Sequence, residues 1–117
     1  MTKRMLLALA VAGVAWTAPP AMAADTLTGE VVDLACYLPH PQTGAGPSHK
    51  KCAETCLKKG LPMGILTEDK QVYLLLEDHD NPKAYVDLKE KAAQRVTVEG
   101  SKVAQGGVQA FLVQALK

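Results

Sequence analysis

Ser48-His49-Lys50-Lys51-Cys52-Ala53-Glu54-Thr55-Cys56-Leu57-Lys58-Lys59-Gly60 is the stretch around which the rest of the chain is read. It predicts a short helix. Ser48 suits the N-cap, where its hydroxyl can accept from an amide of the first turn. Gly60 suits the stop, because it takes a left-handed conformation without a Cβ clash. Between them His49, Cys52 and Cys56 fall at i, i+3 and i+7, so a helix lines all three along one face. The third cysteine, Cys36, lies upstream, at the end of a predicted strand over Thr28 to Cys36. A fold that returns the helix to that strand end would gather three thiols and an imidazole.

Working outward, the predicted strand carries Val32 and Leu34 on one face and Val31 and Asp33 on the other. Asp33 reads either as the opening of a turn or as a partner behind a ligand. Tyr37 to Pro47 is rich in proline and glycine and reads as a loop without regular structure, with His40 between two prolines. Beyond the helix, Met63 to Thr67 and Gln71 to Leu76 form a predicted hairpin around Glu68-Asp69-Lys70. Asn81 followed by Pro82 reads as N-cap and first turn of a second helix, Lys83 to about Lys91, with Tyr85 and Leu88 facing inward. Arg95 to Gly100 and Val108 to Leu116 are the fourth and fifth strands, separated by a turn at Gln105-Gly106-Gly107. The fold class is α+β, mainly β. Five short strands with a helix between the third and fourth match an OB-like, partly open barrel. The Cys/His helix is inserted between strands 1 and 2.

The amino terminus reads differently from the rest. Thr2-Lys3-Arg4 is a basic start, Met5 to Trp16 is apolar, and Ala21-Met22-Ala23 offers small residues at a cleavage position. Residues 1–23 are therefore expected to be a secretory signal peptide, leaving residues 24–117 as a single OB-like domain, exported to a bacterial periplasm. The apolar run is shorter than the ~20 residues a bilayer span needs, so no membrane span is expected after cleavage. Without Lys3 and Arg4 the 13 basic residues become 11, against 12 acidic ones. With that balance and one phenylalanine, Phe111, nothing suits a nucleic-acid partner. A domain this small gains from a staple such as a metal or disulfide.

Three cysteines cannot all pair within one chain. Cys36, His49, Cys52 and Cys56 together make a Cys₃His set, a pattern zinc uses in tetrahedral sites. Thiolates suit Cu(I) equally, and an iron–sulfur cluster also takes cysteine ligands. The leading reading is a metal- or metallocofactor-binding protein acting as carrier, electron-transfer subunit or accessory. It is read as a binding protein more than as an enzyme, and not as a hydrolase, with catalysis left open; no phosphate loop or nucleotide site is recognisable. An alternative is a disulfide-stapled OB-like module that binds a protein partner in the periplasm. Helical residues four apart have Cα atoms about 6 Å apart, within disulfide reach, so a Cys52–Cys56 bridge is one form of it. A second alternative is a thiol–disulfide redox protein using Cys52 and Cys56. Met63 reads as core, His40 as a loop residue, and His79 as part of a solvated acidic turn. Lys50, Lys51, Lys58 and Lys59 read as a wet helix face.

The pattern Gly29-x-Val31-x-Asp33-x-x-Cys36, then His49-x-x-Cys52-x-x-x-Cys56-x-x-x-Gly60, then Val96-x-Val98-x-Gly100, resembles a group of small exported bacterial proteins whose domain has no assigned function. The similarity spans residues 27–116. It implies an OB-like fold and a site at Cys36, His49, Cys52 and Cys56, and it implies no substrate. The Pro/Gly-rich loop from Pro39 to Pro47 is longer than the connection in that group.

Overall fold

The computed structural model describes residues 12–18 and 24–117. The signal peptide expected over 1–23 lies, apart from 12–18, outside the described residues. Among the described residues no helix is long and apolar enough to cross a membrane.

Strand β1 runs from Asp25 to Asp33 and is followed at once by a single helical turn, α1, Leu34–Tyr37. Cys36 is therefore in a helix, not at the end of a strand. The cause is Asp33, whose carboxylate accepts from the Cys36 amide at 3.1 Å and so caps the turn. Leu34 donates its amide to the Pro62 carbonyl at 2.9 Å, which holds the turn against the start of the next strand. Leu34 and Tyr37 then bury at helical spacing, packed with Val32 and Leu66 in a small cluster outside the barrel. The apparent alternation through Leu34 was a strand pattern running on into a helix.

The other strands are β2, Met63–Leu66; β3, Val72–Glu77; β4, Arg95–Gln105; and β5, Val108–Leu116. They close into a barrel in the order β1-β2-β3-β5-β4, with β4 returning to β1. Only β3 and β5 are parallel, paired from Leu74↔Ala110 to Glu77↔Val113. The OB-like barrel read from element order is present, and it closes completely. Strand β1 makes this possible by serving two neighbours. Its first part pairs with β4 up to Glu30↔Arg95, and its last part pairs with β2 from Glu30↔Leu66 onward. Gly29 sits just before that changeover, where a Cβ would stand 2.3 Å from the Leu66 carbonyl oxygen. Only glycine allows the strands to cross so closely.

Leu27, Val31, Ile65, Leu75, Val98, Phe111 and Val113 form the barrel core. Two helices contribute to the same cluster. Ala53 and Leu57 come from α2, Lys50–Lys58; Ala84 and Leu88 come from α3, Lys83–Leu88. The cysteine helix is thus docked on the barrel by an i, i+4 apolar pair, with Leu57 fully buried.

Both helix starts differ from expectation. Ser48 is not the cap of α2. Pro47–His49 form a 3₁₀ turn, His49 occupies the cap position, and no side chain caps the helix. Proline at the head of that turn favours the tighter entry, with the His49 amide bonded to the Gly46 carbonyl at 3.1 Å. At the other end Gly60 takes φ +87°, its amide bonds to the Leu57 carbonyl, and the Leu61 amide bonds to that of Cys56. That pairing is a Schellman stop, as the sequence predicts. Asn81 does not cap α3 either; its side-chain amide donates to the Gln114 carbonyl at 2.8 Å, tying the helix entry to β5. The last residues expected in that helix, Lys89–Lys91, tighten into a 3₁₀ turn.

Candidate metal centre

Among the described residues Asp33 is the buried charged side chain, with none of its surface exposed. A carboxylate so placed is costly unless both oxygens find partners. One oxygen, Oδ1, takes the Cys36 amide; the other, Oδ2, lies 3.3 Å from His49 Nε2. Asp33 therefore both opens the turn and stands behind a candidate ligand.

The segment after α1 brings His49 to that carboxylate. The chain expected to lack regular structure is a series of tight turns, with Tyr37 in α1 and Pro47 in the following 3₁₀ turn. The His40 amide bonds the Cys36 carbonyl at 3.1 Å, and the Gly44 amide bonds the His40 carbonyl at 2.8 Å. Gly44 is pressed on the turn below it, since a Cβ there would lie 2.6 Å from Tyr37 Cα and 2.9 Å from the Cys36 carbonyl. The Gly46 amide then bonds Glu30 Oε2 at 2.9 Å, anchoring the end of the loop to β1. Each turn of this wrap is pinned to the strand or helix beneath it.

Helix α2 supplies the rest. Cys52 and Cys56 each precede one member of the buried Ala53/Leu57 pair, so they lie at the rim of the docked face. Cys52 is exposed, while Cys36 and Cys56 are half-buried, and all three are free thiols. Two groups of donor atoms result. Cys36, His49 and Cys52 lie within 4.8 Å of one another, and so do Asp33, Cys36 and Cys56. Cys36 belongs to both. The three thiols and the imidazole are thus close together, arranged about one sulfur and one buried carboxylate.

The electrostatics follow from that carboxylate. The Cys36 thiol is pushed up to about 12, first by hydrogen bonding to Asp33, then by burial and by the Asp33 charge, with Cys52 adding. Burial pushes the Cys56 thiol up as well, followed by the charge of Asp33 and by Cys52. Hydrogen bonding to Cys36 acts the other way on Cys56, lowering it; the remaining causes disfavour negative charge, and a cation placed among the sulfurs would reverse them. Among the described residues Lys50 pairs with Glu54 and Lys58 with Glu90, so these lysines neutralise other carboxylates. Lys51 and Lys59 are exposed, as a wet face should be.

The remaining histidines stay apart from the cluster. His40 is exposed in the wrap and contributes its backbone rather than its ring. His79 is exposed in a turn stabilised by the Asp80 amide on Asp78 Oδ1 at 2.9 Å. Met63 is buried in the core. Asp33 takes both places that the sequence left open, the opening of a turn and a position behind a candidate ligand. Its signal was its position, three residues before Cys36 at the close of a β-run.

No protein-family model, curated protein or solved structure matches this chain.

Proposed function

We propose that this protein is a small exported, periplasmic metal carrier that holds one soft ion, Zn(II) or Cu(I), on Cys36, His49, Cys52 and Cys56. The observation that carries the reading is the gathering of three free thiols and an imidazole around a buried carboxylate. Within each group of three the spacing suits a single ion, and Cys36 joins the two groups. Metal–sulfur bonds of about 2.3 Å set tetrahedral sulfurs about 3.8 Å apart, and the donor atoms of each group lie within 4.8 Å of one another.

Asp33 has the role of orienting His49. Metal-bound imidazoles usually give their other ring N–H to a carboxylate, which sets the tautomer. A hydrogen bond from Nε2 to Asp33 leaves the lone pair on Nδ1. The carrier role, as opposed to a closed structural staple, rests on Cys52, whose exposure lets an acceptor's donor group approach the ion. Export rests on the basic start, apolar run and Ala21-Met22-Ala23 of the leader.

The test is native mass spectrometry of the protein purified from its own compartment, then repeated under denaturing conditions. A bound mass matching one metal ion, lost on denaturation to leave three free thiols, supports the reading. His49→Ala should then lose the metal while keeping the barrel's circular dichroism. A chain that still takes up no Zn(II) or Cu(I) after its thiols have been reduced overturns it.

A further inference from the structure

We propose that the same sulfurs form a two-electron thiol–disulfide couple, in which Cys52 attacks and Cys36 resolves, and whose closure expels the metal. The inference rests on the metal reading for its second half only. Three observations carry it. Cys52 is the exposed thiol of the cluster, so an oxidant meets it first. Its sulfur lies within 4.8 Å of Cys36, in the group that also holds His49. Cys36 is the sulfur common to both donor groups, so removing it takes a ligand from each.

The backbone favours this order. Cys36 is fixed on both sides, its amide on Asp33 and its carbonyl on His40. It is half-buried, which shields it from a bulky oxidant. Cys52 sits in the first turn of α2, where no side chain caps the helix, so its sulfur can swing with little resistance. Closing from within 4.8 Å to a bond of about 2.05 Å is then a side-chain rotation plus a small shift of that first turn.

The oxidant class is a disulfide-bearing thiol compound, R–S–S–R. The Cys52 thiolate attacks one of its sulfurs, the S–S bond breaks, and the leaving thiolate takes a proton to become R–SH. Cys36 then attacks the Cys52 sulfur, forming the Cys36–Cys52 bond and releasing the second R–SH. The chain loses two electrons and two protons, and the oxidant gains both. The bound ion loses two thiolates and keeps only Cys56 and His49, which is too few for a tight site.

Oxidised glutathione is the probe, added separately to metal-free and Zn(II)-loaded protein, with intact-mass kinetics, peptide mapping and a zinc-sensitive dye as readouts. In metal-free protein, one glutathione should appear on Cys52 and then disappear as a Cys36–Cys52 bridge forms. Cys36→Ser should stop at the Cys52 adduct. In loaded protein, one zinc should be released per bridge formed. A bridge at Cys52–Cys56, or an adduct that begins on Cys36, overturns the proposed couple. Bridging with zinc retained overturns the expulsion. Failure to load zinc, with the Cys36–Cys52 bridge still forming, overturns the metal reading and leaves the couple standing.

Discussion

Asp33 Oδ2 and His49 Nε2 lie 3.3 Å apart across 16 residues of sequence, joining the end of the first strand to the entry of the cysteine helix. The carboxylate is wholly buried and the histidine side chain retains 15% of its surface. Everything between them is wrapped so that this pair can meet. The predictions below test what that arrangement does.

Removing the imidazole should be felt in stability as well as in metal content. His49→Ala leaves one oxygen of a buried carboxylate without its partner, which costs about 1–3 kcal/mol. Urea denaturation of metal-free protein measures it. A cost near zero would mean that water replaces the ring without loss.

The charge on Asp33 governs the Cys36 thiol. Asn caps a helix about as well as Asp, so Asp33→Asn should keep α1 while removing the main cause of the raised thiol pKa. The Cys36 value should fall from about 12 toward the ordinary 9.0. Ultraviolet titration of thiolate in Cys52→Ser/Cys56→Ser protein, with and without Asp33→Asn, isolates it. An unchanged value would assign the shift to burial instead.

Stability should depend on alkaline pH in a stated direction. The folded protein holds the Cys36 proton up to about 12, whereas the unfolded chain releases it near 9.0. Between those values the folded state binds more protons, so the slope of unfolding free energy with pH is negative. The stabilisation is fully present below pH 9.0 and is lost as pH rises toward about 12. Cys36→Ser should flatten that part of the profile in metal-free protein.

The wrap above α1 should tolerate no side chain at its closest point. Gly44→Ala would place a methyl 2.6 Å from Tyr37 Cα, a clash with backbone that cannot rotate away. Overpacking of this kind costs about 1–3 kcal/mol. Thermal unfolding reads the loss, and faster alkylation of Cys36 would report that the wrap has lifted.

Docking of the cysteine helix depends on Leu57, and metal should compensate for its loss. Leu57→Ala removes a fully buried side chain between α2 and the barrel, at about 2–5 kcal/mol. An ion held on Cys36, Cys52 and Cys56 would tie α2 to the turn that follows β1, a second anchor for the helix. At a free concentration 100 times its dissociation constant it returns about 2.7 kcal/mol. Melting temperatures of the variant with and without Zn(II) check both halves.

Several features were legible because they are local. The Schellman stop at Gly60 needs only a left-handed residue after a helical run, and glycine supplies it. The strand order followed from apolar runs and turn residues, and the i, i+3, i+7 stripe followed from helix geometry. What failed was also local in appearance. Ser48 looked like a cap, but Pro47 started the turn one residue earlier. Cys36 looked like a strand residue because Leu34 continued the alternation, while the Asp33 carboxylate had already drawn the chain into a turn.

The sequence by itself determined the candidate donor residues, the helix that carries two of the sulfurs, and a barrel order that inserts this helix between the first two strands. Only the tertiary structure decided that Cys36 meets Cys52 and Cys56, and that Asp33 stands behind His49. The reason is physical: periodicity and capping act over one or two turns of chain, whereas these meetings span 16 to 20 residues. They depend on Leu57 burying against the barrel and on a wrap pinned at Cys36, His40 and Glu30. A buried carboxylate then selects the one histidine brought within its reach.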